Sequence, residues 1–468
     1  MRTIAKYEIL GLLGRGGWAT VYKARLPQVG RIVALKVLDP RPPLVALLGR
    51  AEIERRFLAE ARAMAGLSHP HLAQVWDYGQ AADGRPYYSM EYFCRNLGAA
   101  LGEGFDLEQP TRRLPAPRAL AYADQTLAAL GRLHWAGLVH RDVTPYNLLL
   151  DEADQVKLAD FGLSRRRGER RPLPANLHQG TPFYSAPEQE ADPEAVDQRA
   201  DLYSAAVLLW RMLTGGLDLD AARAGQAGGL GPGLGESEAR FWRQALALRP
   251  EERFGDAAAM RAALAGLAAA WRAEREALCQ AGPRPYSAPP FPPAPAGRLR
   301  DVPRKATPAQ AEAVFGLDRL WRPAVASRAV FAPAGQGEVA DRAHGLVWQA
   351  AGSPYALTWA EAQAHLARLN QAGAAPAPAP AWRLPTLAEL ISLVRPADDP
   401  AAWCAPLVFD PCQRWLWSAD RRSALAGWGL DLELGCACVR DYTCRLYVRA
   451  VRPAAGGGKT PITEGGMA

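Results

Sequence analysis

His140-Arg141-Asp142-Val143-Thr144-Pro145-Tyr146-Asn147 runs directly into the apolar triplet Leu148-Leu149-Leu150, and thirteen residues after Asn147 comes Asp160-Phe161-Gly162. A single Asp or Asn is usually a helix cap or a turn residue, because its short side chain bonds nearby backbone. Here two carboxylates and an amide flank one short apolar strand, and a second motif follows at a fixed distance. That coincidence decides how the rest of the chain is read.

Together the two motifs resemble the catalytic loop and the metal-binding turn of the protein-kinase family. The resemblance implies that Asp142 orients a substrate hydroxyl and accepts its proton. It also implies that Asn147 and Asp160 supply hard oxygen ligands to Mg2+ beside the phosphates of ATP. The fold it implies is α+β and bilobal, with a β-rich N-lobe and a helical C-lobe.

Upstream, Leu13-Gly14-Arg15-Gly16-Gly17-Trp18-Ala19-Thr20-Val21 follows the short strand Tyr7-Glu8-Ile9-Leu10. Glycines let backbone approach phosphates and present N–H groups to them. Ala19 stands where the kinase pattern has a third glycine, which implies slightly stiffer phosphate cover. Ile32-Val33-Ala34-Leu35-Lys36-Val37-Leu38 alternates like a strand and carries the family's lysine, one of only six in the chain. By resemblance Lys36 holds the α- and β-phosphates and pairs with a helix glutamate. Residues 53–67 have helical apolar spacing. Glu60 matches that glutamate, with Glu54 as the competing candidate. Tyr87-Tyr88-Ser89-Met90-Glu91-Tyr92 resembles the strand and hinge that receive adenine. Met90 sits at the gatekeeper position, Glu91 and Tyr92 offer backbone groups, and Val21, Ala34 and Leu149 sandwich the base. His69 and His71 read as turn and packing residues.

Downstream, residues 120–136 read as a helix. Gly180-Thr181-Pro182-Phe183-Tyr184 resembles the segment that seats the substrate in serine/threonine kinases, which places Thr181 among the catalytic residues. Ala186-Pro187-Glu188 closes the activation segment. Asp201-Leu202-Tyr203-Ser204 resembles the buried helix beneath the catalytic loop. Arg253 matches the residue that pairs with the glutamate of that Ala-Pro-Glu, here Glu188.

Two departures stand out. Thr144 occupies the position where many relatives have a lysine that touches the transferred phosphate, and a hydroxyl brings no charge. Between Gly162 and Gly180 the one hydroxyl residue is Ser164. Arg141, which in the family often binds an activation-segment phosphate, therefore lacks an evident phosphosite. The cluster Arg165–Arg171 reads as a solvated loop or as a dock for an acidic partner.

The chain has 468 residues, 49% hydrophobic and 22% charged, with a formal net charge of +7. That composition supports sizeable cores and excludes global disorder. The positive balance is modest and mostly dispersed, which argues against a nucleic-acid partner. No run of ~20 uncharged apolar residues is present to span a bilayer, and Met1-Arg2-Thr3-Ile4-Ala5-Lys6-Tyr7 has no apolar signal core. The expectation is a cytoplasmic protein. Cys94 and Cys279 stand apart, while Cys404, Cys412, Cys436, Cys438 and Cys444 cluster late. A reducing compartment makes a disulfide framework unexpected, and the cluster lacks the histidines of a common zinc site.

Residues 216–235 are rich in Gly and Ala and read as an insertion. Pro289-Pro290-Phe291-Pro292-Pro293 marks a semi-rigid proline-rich linker. The expected organisation is a kinase domain over 1–272, a linker over 273–303, a second domain over 304–453 and a flexible tail over 454–468. In the second domain tryptophan becomes frequent. Gly345-Leu346-Val347-Trp348 reads as a strand. Thr358 with Glu361, and Thr386 with Glu389, form two capping boxes that start helices. Residues 415–419, 427–432 and 447–452 read as strands. This set resembles the Lcl C-terminal domain family, related to C-type-lectin-like and formylglycine-generating-enzyme folds. The resemblance implies an α+β domain that binds a ligand or protein. The tryptophans read as core, Asp431 and Glu433 as an alternating strand rather than a calcium site.

The sequence thus points to a serine/threonine protein kinase that uses ATP and Mg2+ on protein hydroxyls. The rival reading is a weakly active or inactive kinase serving as an ATP-binding scaffold, with recognition left to the second domain.

Overall fold

A computed structural model of the chain describes residues 2–104, 106–161, 165–166, 181–193, 195–225, 230, 235–280, 299–325, 327–335, 337–372, 380–396, 403–404, 408–410 and 413–454. The chain divides into two units, Met1–Pro283 and Arg284–Ala468. The activation segment from Gly162 to Gly180, apart from the backbone of Arg165–Arg166, lies outside the described residues, as do most of the proline-rich linker and the tail from 455 onward.

The first unit begins with strands β1 (Thr3–Ile4), β2 (Tyr7–Arg15), β3 (Ala19–Leu26) and β4 (Arg31–Leu38). Helices α1 (Pro42–Leu48) and α2 (Arg50–Ala65) follow, then β5 (Val75–Gln80) and β6 (Pro86–Glu91). The strands form one antiparallel sheet in the order β1-β2-β3-β4-β6-β5. Successive side chains on a strand face opposite ways. Val33, Leu35 and Val37 accordingly join Ile4, Tyr7, Ala24 and Tyr87 in one small core. Lys36 and its cross-strand partner Tyr88 are turned toward α2, where Phe57 packs on the Tyr88 ring at 5.1 Å between centroids. Helix α1 was not evident in the sequence, because its apolar residues are not buried.

The rest of the unit is mainly helical. Its elements are β7 (Arg95–Asn96), α3 (Leu97–Leu101), α4 (Ala116–Trp135), β8 (Leu138–Val139), β9 (Leu148–Leu150) and β10 (Val156–Leu158), then α5 (Pro187–Ala191), α6 (Gln198–Thr214), α7 (Leu219–Arg223), α8 (Gly235–Ala245) and α9 (Ala257–Gln280). Helix α6 is buried continuously from Ala200 to Leu213, the mark of a central helix. Asp197 caps its start by accepting from the Arg199 N–H, and Gly215 ends it at φ 74°, a backbone state that favours glycine. Strands β9 and β10 pair as a hairpin, with β7 on the far side of β9, and so carry the residues on either side of Asn147 and Asp160. Helix α9 continues to Gln280, beyond the expected domain end at 272, and the expected insertion contains α7.

The second unit holds an antiparallel sheet of Phe331–Gly335, Glu338–Asp341, Leu346–Gln349 and Val451–Pro453, in that order. A separate meander joins Trp415–Arg421, Ala426–Asp431 and Cys436–Asp441. Trp348, Trp417 and Trp428 are fully buried, which makes them core residues. Thr358 and Glu361 exchange the bonds of a capping box at the start of helix Trp359–Ala372. Thr386 and Glu389 do the same for Leu387–Ile391, which is only a short helix. The expected strand over 447–452 is shorter, Val451–Pro453, because Tyr447 and Leu446 make isolated bridges to other segments. Asp431 accepts from the Trp415 indole at 2.8 Å and from the backbone N–H groups of Glu433 and Leu434, so its carboxylate closes a turn.

Cys436 and Cys438 are buried thiols. The side chains of Cys279, Cys404 and Cys412 lie outside the described residues. No helix among the described residues is long and apolar enough to cross a membrane.

Candidate active site

Lys36 is the meeting point of the first unit's two halves. Its Nζ donates to Glu60 Oε1 at 2.7 Å and to Asp160 Oδ1 at 3.0 Å. Glu60 faces the sheet because α2 buries Ile53, Phe57, Glu60, Ala61 and Met64 at helical spacing. Glu54, the competing candidate, points outward and pairs with Arg50. Burial alone would lower the Lys36 pKa, but the charges of Asp160 and Glu60 outweigh it and hold the ammonium well above its ordinary value. Tyr88 was missed by sequence reasoning. Its hydroxyl donates to the same Glu60 oxygen at 2.8 Å. The sheet register, which sets Tyr88 directly opposite Lys36, shows its role and the sequence alone does not.

The catalytic loop is held from below. Asp201 is buried and accepts the backbone N–H groups of His140 and Arg141 at 2.8 and 2.7 Å, and pairs with His134 Nε2 at 2.8 Å. Burial raises the Asp201 carboxyl, yet the bonds and charges of His134, His140 and the Arg141 N–H together hold it below its ordinary value. His140 contacts the Ala159 carbonyl at 3.2 Å and stacks edge-on against Phe161, tying the loop to the Asp160 turn. Arg141 and Asp160 both have positive φ, 69° and 64°. Such strain in non-glycine residues gathers where side chains must be aimed.

Asp142 Oδ2 accepts from Asn147 Nδ2 at 2.8 Å, and its Oδ1 accepts from Thr181 Oγ1 at 3.0 Å. Burial pushes the Asp142 carboxyl above its ordinary value. A carboxylate so placed can accept a proton from a hydroxyl brought to it. The residues also fit a divalent cation. Asn147 commits its NH2 group to Asp142, which leaves its carbonyl oxygen as the donor atom, and the Asp160 side chain is 49% exposed. Among the described residues no cluster of three or more His, Cys, Asp or Glu could hold a metal. A site with few protein oxygens suits Mg2+, which keeps water and phosphate ligands.

The glycine-rich turn joins β2 and β3. A Cβ at Gly14 or Gly17 would meet nothing within 4 Å, and at Gly16 only the Ala19 carbonyl at 3.7 Å, so the protein's own packing does not demand these glycines. Bare backbone there suits an approaching phosphate. The turn is strapped to the end of β4: Asp39 N–H donates to Trp18 O, Arg41 N–H to Gly17 O, and Arg15 and Thr20 both bond the Asp39 carboxylate. Ala34 lies between Lys23 and Met90 in the sheet register, Val21 opposite Lys36, and Leu149 on β9. Glu91 spends its N–H on the Gln74 carbonyl, which leaves its own carbonyl as the group it can offer. Leu13 is exposed on β2 and Tyr92 follows β6.

Thr144 is buried. The Arg141 guanidinium donates to the carbonyls of Pro193 and Val196 at 2.8 and 3.2 Å. Arg253 donates to both Glu188 oxygens at 2.6 and 2.8 Å, so the expected pair forms.

Comparison with known proteins follows the same division. Residues 7–226 match the protein kinase domain family, and residues 337–452 match the Lcl C-terminal domain family. The chain is 36% identical over 235 residues to serine/threonine-protein kinase pkn3 of Myxococcus xanthus, covering 48% of this chain and 40% of that protein. It is 40% identical over 213 residues to the DNA damage-responsive serine/threonine-protein kinase RqkA of Deinococcus radiodurans, covering 45% and 30%. It is 36% identical over 281 residues to serine/threonine-protein kinase PknL of Mycobacterium tuberculosis, covering 56% and 66%. The chain thus spans less than half the length of the first two relatives.

Proposed function

We propose, from the premise that residues 7–226 form a protein kinase domain and residues 337–452 an Lcl C-terminal domain, that the chain transfers the γ-phosphate of ATP to serine and threonine hydroxyls of proteins. The observation that carries this reading is the position of Lys36, bonded at once to Glu60 and Asp160. That arrangement joins the nucleotide-holding strand to the metal-binding turn.

Each residue then has a part. The glycine-rich turn covers the phosphates with backbone N–H groups, and Lys36 neutralises their charge. Asn147 and Asp160 would hold Mg2+, which would neutralise charge on the phosphates. Asp142 orients the acceptor hydroxyl and takes its proton, while Thr181 and Asn147 fix its two oxygens. Thr144 brings a hydroxyl and no charge, which weakens stabilisation of the transferring phosphate relative to a lysine. ATP supply places this activity in the cytoplasm.

For the second unit we infer a C-type-lectin-like recognition role toward a ligand or protein, supported by its own tryptophan-rich core and its family match. The test of the main reading is phosphate transfer from labelled ATP to a protein acceptor, followed by identification of the labelled amino acid. Label on serine or threonine that disappears in Asp142→Asn supports it, and transfer that survives Asp142→Asn sinks it.

A further inference from the structure

Glu103 lies between α3 and α4, outside every motif considered above, and its side chain is fully buried. Its Oε1 accepts the Tyr184 hydroxyl at 2.7 Å, and Arg211 of α6 lies 3.9 Å away. Its backbone carbonyl accepts the Tyr146 hydroxyl at 3.1 Å. Tyr146 belongs to the catalytic loop between Asp142 and Asn147, and Tyr184 to the turn that begins at Thr181. One residue therefore touches both segments that deliver side chains to Asp142.

The surroundings are built to hold Glu103 there. Its N–H donates to Gly98 O, and Gly98 N–H donates to Pro145 O. A Cβ on Gly98 would lie 2.8 Å from the Tyr146 ring, so glycine is required for this contact. Arg211 spends its guanidinium on the carbonyls of Gly215, Leu107 and Gln109, pinning the segment after Glu103 to α6. On the other side, Tyr146 is 44% and Phe183 48% exposed, and Phe183 is held at φ 69°. Strain of that kind persists only where neighbours over-determine the backbone.

We infer that Glu103 is a positioning residue for the acceptor side of the site: through Tyr184 it sets the Thr181–Tyr184 turn, and through its carbonyl the ring of Tyr146, relative to Asp142. The inference rests on the kinase reading for its catalytic consequence, but its structural half stands apart. Glu103 touches neither nucleotide-holding strand, so its effect falls on the protein acceptor.

The test uses the full chain with Glu103→Ala, Glu103→Gln and Tyr184→Phe, the last removing only one hydroxyl. Two quantities are read: KM for a protein acceptor against KM for ATP, and hydrogen exchange of the Tyr184 and Ser185 amides, which bond to Thr181 O. Glu103→Ala and Tyr184→Phe are expected to raise acceptor KM about tenfold, as for one lost hydrogen bond to a charged group, with ATP KM little changed. Both should speed exchange at 184–185, and Glu103→Gln, which keeps an acceptor oxygen, should restore most of each effect. Unchanged acceptor KM and unchanged exchange in both Glu103→Ala and Tyr184→Phe would overturn the inference, as would equal rises in both KM values. If the wild type transfers no phosphate, the kinase reading fails, and the exchange measurement alone then decides whether Glu103 holds the turn.

Discussion

The Tyr88 hydroxyl donates to Glu60 Oε1 at 2.8 Å, the same oxygen that receives the Lys36 ammonium at 2.7 Å. One buried carboxylate oxygen on α2 therefore serves two donors from the neighbouring strands β4 and β6. Removing the hydroxyl with Tyr88→Phe takes one of these two donors from that oxygen and loosens the pair. Stability should fall by about 1.5 kcal/mol, as for a hydrogen bond to a charged group, and KM for ATP should rise. Thermal unfolding and nucleotide titration check this; an unchanged ATP KM would mean that Lys36 and Glu60 need no such support.

The carboxyl of Asp142 is raised by burial above its ordinary value of 3.8. A raised carboxyl protonates at higher pH, and the protonated form cannot accept a hydroxyl proton. Activity should therefore be full above the raised value and lost as pH falls through it, with the acidic limb of kcat above that of a free Asp. A kcat profile flat down to pH 3.8 in a folded protein would contradict this assignment.

Arg253 and Glu188 make a two-pronged ion pair in which the Arg253 side chain is fully buried. Glu188→Ala would leave that cation among backbone carbonyls and the Tyr203 ring. The expected cost is about 3 kcal/mol of stability in the first unit, because one partner of a buried pair is left uncompensated. Denaturant unfolding measures it, and a loss within experimental error of zero would show that the pair is dispensable.

Asp420 is buried in the second unit. It accepts both Arg300 nitrogens at 2.8 Å as well as the N–H groups of Arg304 and Leu387. Asp420→Ala should destabilise the second unit by about 3 kcal/mol while leaving nucleotide affinity unchanged. Loss of nucleotide binding in a variant whose first unit stays folded would contradict the division into two units.

Much of the site was legible because its chemistry is local in sequence. Asp142 and Asn147 sit five apart on one loop, and the β9–β10 hairpin brings Asp160 back beside them. Alternation and spacing gave the strand and helix that carry Lys36 and Glu60, resemblance to kinase motifs singled those two residues out, and the capping boxes at Thr358 and Thr386 were legible from their fixed offsets. What was not legible depends on contacts across the fold. Tyr88 reads as one more apolar strand residue until the sheet register sets it beside Lys36 and Glu60. Arg141 lacks an evident phosphosite in the sequence, and only the folded chain brings the Pro193 and Val196 carbonyls to it. Glu103 carries no motif at all. Trp348, Trp417 and Trp428 were correctly read as core, but the length of the second unit's last strand was not, because isolated bridges at Leu446 and Tyr447 break the ladder.

The central claim is that Lys36, Glu60 and Asp160 form a nucleotide site that works with Asp142. It is tested most directly by labelled-ATP transfer with Mg2+, comparing wild type with Asp160→Asn at matched folding. The account predicts transfer to serine or threonine by wild type and a fall on the order of a hundredfold or more in Asp160→Asn. Equal transfer by the two proteins, or none by either while ATP still binds, would contradict it.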